Sequence, residues 1–224
     1  MAESRVFLQA TASIESDHPR VRELAARITG DSEDIHEKAR RLFLWVRDEI
    51  AYSLHNPFWL PEHYRASLII ERGHGYCVQK AVVLAALARA SGIPARLLFA
   101  DIVNHRAAEE MTQLMGTNLF TYHCYVEMLL GEDWVKVVPS FDSRLCSKHE
   151  YPLVEFDGHS DALFAPRDAK GRAYMEYTRQ YGAFADVPLE QMLQAWEDVY
   201  GRGRVELWKK AFLMMHSQQE NGST

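Results

Sequence analysis

The sequence predicts an α+β fold, and three patterns carry that prediction. Residues 77–91, CVQKAVVLAALARAS, are apolar nearly all round, as in a helix buried on every side. Behind them come three short runs rich in β-branched, aromatic and leucine residues, at 95–103, 121–130 and 133–138. Before and after lie helical periodicities with a single apolar stripe.

Taken in order, residues 31–50 open with Asp31 and Ser32 as N-cap candidates. They then place Ile35, Ala39, Leu42, Val46 and Ile50 at spacings of three and four, which makes one buried helix face. Residues 51–76 carry two prolines, two glycines and many aromatics without a sustained period, so they read as a structured loop with a short helix at 64–72 that lines a site. The helix from Cys77 stops at Gly92, with Pro94 just beyond. Strands follow at 95–103, 121–130 and 133–138, the last two joined through Gly131 and Glu132 as a hairpin. Residues 104–120 are polar and too long for a tight turn, and are expected to form a flap or short helix over the site. The chain is expected to be irregular from Pro139 to about Ala185. Helices then close it at 188–200 and 204–216, the second with Leu207, Ala211 and Met214 in register. A stripe of Trp196, Tyr200, Trp208 and Met214 reads as helix packing or a homodimer contact. The division expected is a core domain over 1–185 with a helical extension over 186–224, ending in a loose tail at 218–224.

Composition sets the outer limits. With 47% hydrophobic and 25% charged residues among 224, the chain has the profile of a folded globular protein. A formal charge of −6 leaves no surplus to neutralise phosphates, so nucleic acid is not an expected partner. The start, MAESRVFLQATASIES, lacks a basic region followed by an unbroken apolar run, and no later segment approaches 18 consecutive apolar residues. The expectation is a cytoplasmic protein that does not engage the membrane. Cys77, Cys124 and Cys146 are an odd, sparse set and are expected to be reduced. A zinc site from these cysteines and His123 lacks any CxxC or HxxxH spacing, so no metal or cofactor is expected.

The chemistry is expected at Cys77. A thiol at a helix start sits at the positive end of the helix dipole beside N–H groups with no intrahelical partner, and both favour the thiolate. Gly73 and Gly75, on either side of His74, allow a positive-φ turn that exposes the sulfur. Acyl chemistry also needs a group that moves protons, and His123 lies on the following strand pattern. Alternation there puts His123, Tyr125 and Glu127 on one face and Tyr122, Cys124 and Val126 on the other. Asp142 is the candidate for a third group that orients the imidazole, with an Asx turn as its competing role. The Cys77 N–H is one candidate donor to an oxyanion, and Tyr52, His55 or Trp59 could bring a second. Gln79 reads as a packing or capping residue, Glu127 as a paired strand residue, His74 and His105 as loop hydrogen-bonders, and Cys124 and Cys146 as structural thiols.

The segments GHGYCVQKAVVLAALARASGIPAR, YHCYVEM and DWVKVVPSFD together resemble the core of the transglutaminase-like superfamily, over roughly residues 40–145. The resemblance implies a papain-like α+β core with Cys77 as nucleophile and His123 as base. It also implies a thioester acyl-enzyme formed from a peptide, amide or thioester substrate and passed to water or to an amine, as in acyltransferases and thiol proteases of the family. Some members are non-catalytic, so a binding or scaffold module is the alternative. One departure stands out. The family places an Asp directly before Pro-Thr, whereas this chain reads Val138-Pro139-Ser140, with Asp142 four residues further on.

Overall fold

The computed structural model describes residues 2–221, with side chains over 4–213, so Met214, His216 and residues 222–224 lie outside what is described below. A short helix α1 (Ala2–Arg5) leads to α2 (Pro19–Thr29) and α3 (Ile35–Glu49). Next come β1 (Ala51–Tyr52), α4 (Ala66–Arg72), β2 (His74–Gly75) and α5 (Cys77–Ala90). The sheet segment comprises β3 (Ala95–Asn104), α6 (Glu109–Met115), β4 (Leu119–Leu130) and β5 (Asp133–Val137). The chain continues through α7 (Ser143–His149), β6 (Met175–Phe184), α8 (Leu189–Tyr200) and α9 (Arg202–Asn221).

The α+β expectation holds. Helix α5 packs on β3 and β4 and is surrounded on its other sides by α2, α3 and α4. Residues Val78 to Arg89 are all buried, which explains why this helix shows no polar stripe. Burial on every side means that volume changes anywhere along it are felt in the core, at about 2–5 kcal/mol for a Leu→Ala. The sheet runs β5-β4-β3-β6, antiparallel throughout, and Gly131 turns the β4–β5 hairpin at φ 67°.

Several boundaries differ from the sequence reading. The cap of α3 is Asp34, whose side chain accepts the His36 N–H at 3.0 Å, and not Asp31 or Ser32. Helix α2 begins with Pro19 at its first turn, but its stripe of Val21, Leu24 and Ala25 is too short to stand out from its charged neighbours. The stretch after Pro139 is less irregular than expected. It contains α7, and β6 pairs with β3 along ten residues. Strand β6 is mostly exposed and reads MEYTRQYGAF, so it offers neither an apolar run nor strict alternation. Helix α6 does form within 104–120, but its partners are Arg204 and Trp208 of α9, and no hydrogen bond or ring contact among the described residues joins it to Cys77 or His123. In α9 the packing face is Val205, Trp208 and Phe212; Leu207 is 66% exposed and Ala211 is exposed. The period was right and its phase was off by one residue. Instead of loosening at 218, α9 continues to Asn221.

Candidate active site

Local sequence places the thiol. Gly73 ends α4 in the left-handed region at φ 71°, as expected. Gly75 works differently. It is extended and paired with Tyr52, and a Cβ there would lie 2.9 Å from the Gln79 Cβ. Gln79 accepts the Tyr76 N–H at 3.2 Å and donates to the His63 carbonyl at 3.1 Å, which fixes the entry into α5 and confirms its capping role. Cys77 therefore sits at the first position of α5, partly exposed, and is a free cysteine.

The electrostatics of the thiol depart from the expectation. Burial pushes Cys77 up to about 11, and the backbone N–H groups of Cys124, Val78 and Cys77 itself pull it only part of the way back. The helix start acts in the expected direction, but desolvation outweighs it. At neutral pH the group is a thiol.

Strand β4 carries His123 one residue before Cys124, whose backbone N–H lies near the sulfur. The imidazole is 4% exposed, and burial lowers it to about 3, so it is neutral and a weaker base than an exposed imidazole. Its neighbours are aromatic: Phe164 at 5.5 Å between ring centroids, Tyr177 at 6.3 Å and Tyr125 at 6.4 Å. Nε2 is buried without a hydrogen-bond partner among the described residues. No hydrogen bond joins the imidazole to the Cys77 thiol or to Asp142.

The structure does not bring Asp142 to His123. Its Oδ1 accepts the Leu145 N–H at 2.9 Å as the N-cap of α7, and its Oδ2 accepts the Tyr52 N–H at 2.9 Å. Val138, at the position where the resemblance implies an acid, is buried. Asp142 instead ties α7 to Tyr52, whose hydroxyl is pushed up by burial and by the nearby Cys77 sulfur. Of the oxyanion donors considered, Tyr52 thus lies near the sulfur, while Trp59 and His55 pack against Phe212 of α9. The bystander readings hold: Glu127 pairs with Arg96 at 2.6 Å, His74 contacts Asn56 at 3.4 Å, His105 contacts Glu176 at 3.2 Å, and Cys124 and Cys146 are buried and free.

Two features of the site were not read from the sequence. The first is a break in the alternation of β4. Ala100 pairs with His123 but Ile102 with Phe120, so Asp101 faces both Thr121 and Tyr122, and Tyr122 adopts φ 55°. Alternation runs as expected from His123 onward and fails at Tyr122, whose ring stacks on Tyr181 at 4.0 Å. The buried Asp101 carboxylate holds the bulge by accepting from the Thr121 and Tyr181 hydroxyls and, at 3.2 Å, from the Tyr122 N–H. The second is a ring of tyrosines. Tyr52, Tyr64, Tyr76, Tyr177 and Tyr200 all lie close enough to Cys77 for its charge to raise their phenols further, on top of burial. They come from separate parts of the chain, so no local motif announces them.

The profile of the transglutaminase-like superfamily matches residues 22–139, more than half of the chain. The chain belongs to this superfamily. No curated protein matches. Among solved structures, a provisionally assigned cysteine protease from Cytophaga hutchinsonii is similar at 19% identity with a TM-score of 0.47, over 80% of this chain and 53% of that one. A provisionally assigned protease from Parabacteroides distasonis is similar at 15% identity with a TM-score of 0.39, over 56% of this chain and 25% of that one. The chain thus spans about half the length of the first. Within the superfamily match lie Cys77, His123 and the strands that carry the imidazole, whereas Asp142 falls just beyond it. No helix among the described residues is long and apolar enough to cross a membrane.

Proposed function

We propose that this transglutaminase-like protein is a cysteine enzyme that transfers an acyl group, or hydrolyses an amide or peptide, through a thioester on Cys77. The observation that carries this reading is the thiol itself: partly exposed at the first position of a buried helix, with the backbone N–H groups of Cys124, Val78 and Cys77 near enough to the sulfur to favour its charged form. Such a cluster stabilises negative charge that develops during attack without being fully ionised beforehand. His123 is the general base. It takes the thiol proton as sulfur bonds to the acyl carbon, then returns it to the leaving amine or thiolate. Water or an amine then attacks the thioester, with His123 deprotonating the acceptor and Cys77 leaving. The substrate is a peptide, amide or thioester.

A second reading, a non-catalytic binding module, draws support from the valine at 138 and the unpartnered Nε2 of His123. One measurement separates them. Incubation with an activated acyl ester followed by intact mass spectrometry is expected to show a single acyl adduct, absent from Cys77→Ala. An adduct that persists in Cys77→Ala overturns the nucleophile assignment, and no adduct on the wild type favours the binding module.

A further inference from the structure

We infer that Tyr177 takes the third role at this site, its hydroxyl oxygen accepting the Nε2–H of His123 where the chain lacks a carboxylate at Val138. The inference rests on the acyl-transfer reading and specifies how that site orients its base.

Two unpartnered polar atoms carry it. A buried polar side-chain atom without a hydrogen bond costs about 1–3 kcal/mol and is uncommon in folded proteins. Here His123 Nε2 and the Tyr177 hydroxyl oxygen are both in that state, so they are not hydrogen-bonded to each other in the structure. Their rings are 6.3 Å apart at 65°, edge to face, and the inferred bond needs the two side chains to turn toward each other. They converge because of the sheet order. β4 and β6 flank β3 on opposite sides, with His123 opposite Ala100 and Tyr177 opposite Ile102, so the two rings meet above the central strand. Tyr125 touches both, at 6.4 Å from His123 and 5.8 Å from Tyr177, and its own hydroxyl is committed to Gln180 at 2.9 Å. Phe164 closes the other side of the imidazole, and its backbone N–H lies near the Tyr177 oxygen without completing a hydrogen bond. Within this enclosure no carboxylate reaches Nε2, since both oxygens of Asp142 are held by backbone N–H groups elsewhere. A phenol has two lone pairs on its oxygen, so Tyr177 can accept from Nε2–H and hold the imidazole in the tautomer that leaves Nδ1 free for the thiol proton.

The charge balance is simple. In the resting state thiol, imidazole and phenol are all neutral. As Cys77 attacks, its proton passes to Nδ1, and the imidazolium is steadied at Nε2–H by a neutral oxygen rather than by an anion. Tyr177 neither gains nor loses a proton and acts through His123, which makes it a positioning residue.

The test compares wild type, Tyr177→Phe and Tyr177→Phe/Val138→Asp. Tyr177→Phe is expected to lower the rate of Cys77 acylation by about tenfold or more, a fraction of the roughly hundredfold to ten-thousandfold that a positioned acid–base group contributes. Nitrogen-15 NMR of the imidazole supplies a readout that packing alone does not move: the wild type should show a protonated Nε2, and Tyr177→Phe a mixture of tautomers. Val138→Asp in the Tyr177→Phe background should restore acylation, and if that variant does not fold the NMR comparison still decides. An acylating wild type with an equally fast Tyr177→Phe and an unchanged imidazole spectrum overturns the Tyr177 role and leaves the acyl-transfer reading standing. A wild type that never acylates overturns that reading itself.

Discussion

At the scale of single residues, the site holds two titratable groups moved in opposite directions by the same cause. Burial raises Cys77 to about 11 and lowers His123 to about 3, so the resting pair is neutral over the whole physiological range. Alkylation of Cys77 by iodoacetamide is therefore expected to rise steadily with pH past 9. A rate that levels off below pH 7 would instead reveal a standing thiolate–imidazolium pair. Lys80 is a second buried group, one turn further along α5. It is fully buried, donates to the carbonyls of Arg47 at 2.8 Å and of Ile50, and is lowered to about 7 by burial against the opposing pull of Asp142 and Asp48. In the unfolded chain it keeps its proton up to about 10.5. Between about pH 7 and 10 the unfolded state thus binds more protons at this position, and the Lys80 contribution to stability rises with pH. Urea midpoints at pH 7, 8 and 9 should show wild type gaining on Lys80→Met. Parallel curves would refute the burial of a neutral amine. The residues that reacted to such long-range surroundings were the least legible in sequence: nothing near Cys77 in the chain reports how much water the fold removes from it.

At the scale of elements, the helix that presents the thiol and the hairpin that presents the imidazole were both readable. Each is specified locally, by all-round apolarity ending at a glycine and by two strand runs joined at Gly131. Strand β6 was not readable, because its pairing with β3 is set by its partner rather than by its own exposed, polar sequence. Asp142 illustrates the same limit at a helix end. Its position in Phe141-Asp142-Ser143 suits both a catalytic acid and a cap, and the structure uses both its oxygens for backbone N–H groups, one on α7 and one on Tyr52. Asp142→Ala is accordingly expected to cost about 1–2 kcal/mol of stability from the lost cap. Acylation by the folded protein should fall far less than in Tyr177→Phe. A collapse of acylation with stability unchanged would return the acid's role to Asp142.

At the scale of the whole molecule, the C-terminal helices belong to the surroundings of the thiol. Tyr200 at the end of α8 lies near Cys77 and accepts the Thr121 N–H at 2.8 Å, while Trp196 packs against Tyr76 at 6.3 Å and donates to the Thr121 carbonyl at 3.2 Å. Phe58, from the loop before α4, gathers Trp59, Trp196, Trp208 and Phe212 around itself. The sequence showed Trp196 and Trp208 in a stripe and the loop as aromatic-rich, but not that the two close on each other. That closure joins positions about 140 residues apart, a distance at which no periodicity carries information.

The bulge at Tyr122 has a further consequence for how this chain tolerates change. A strand pairs its side chains with one face or the other strictly by count, and a shift of one position exchanges the faces. Here the extra residue opposite Asp101 lets Phe120 and His123, three apart, both keep the phase set by Ile102 and Ala100. Upstream of it the strand is fastened to α8 through Thr121, and downstream it packs on α5. Deleting one residue at 121 or 122 would leave hydropathy and every candidate site residue in place, yet either move His123 to the other face of the sheet or tear the strand from α8. In the language of information, this chain stores the orientation of His123 as an insertion rather than as a residue type.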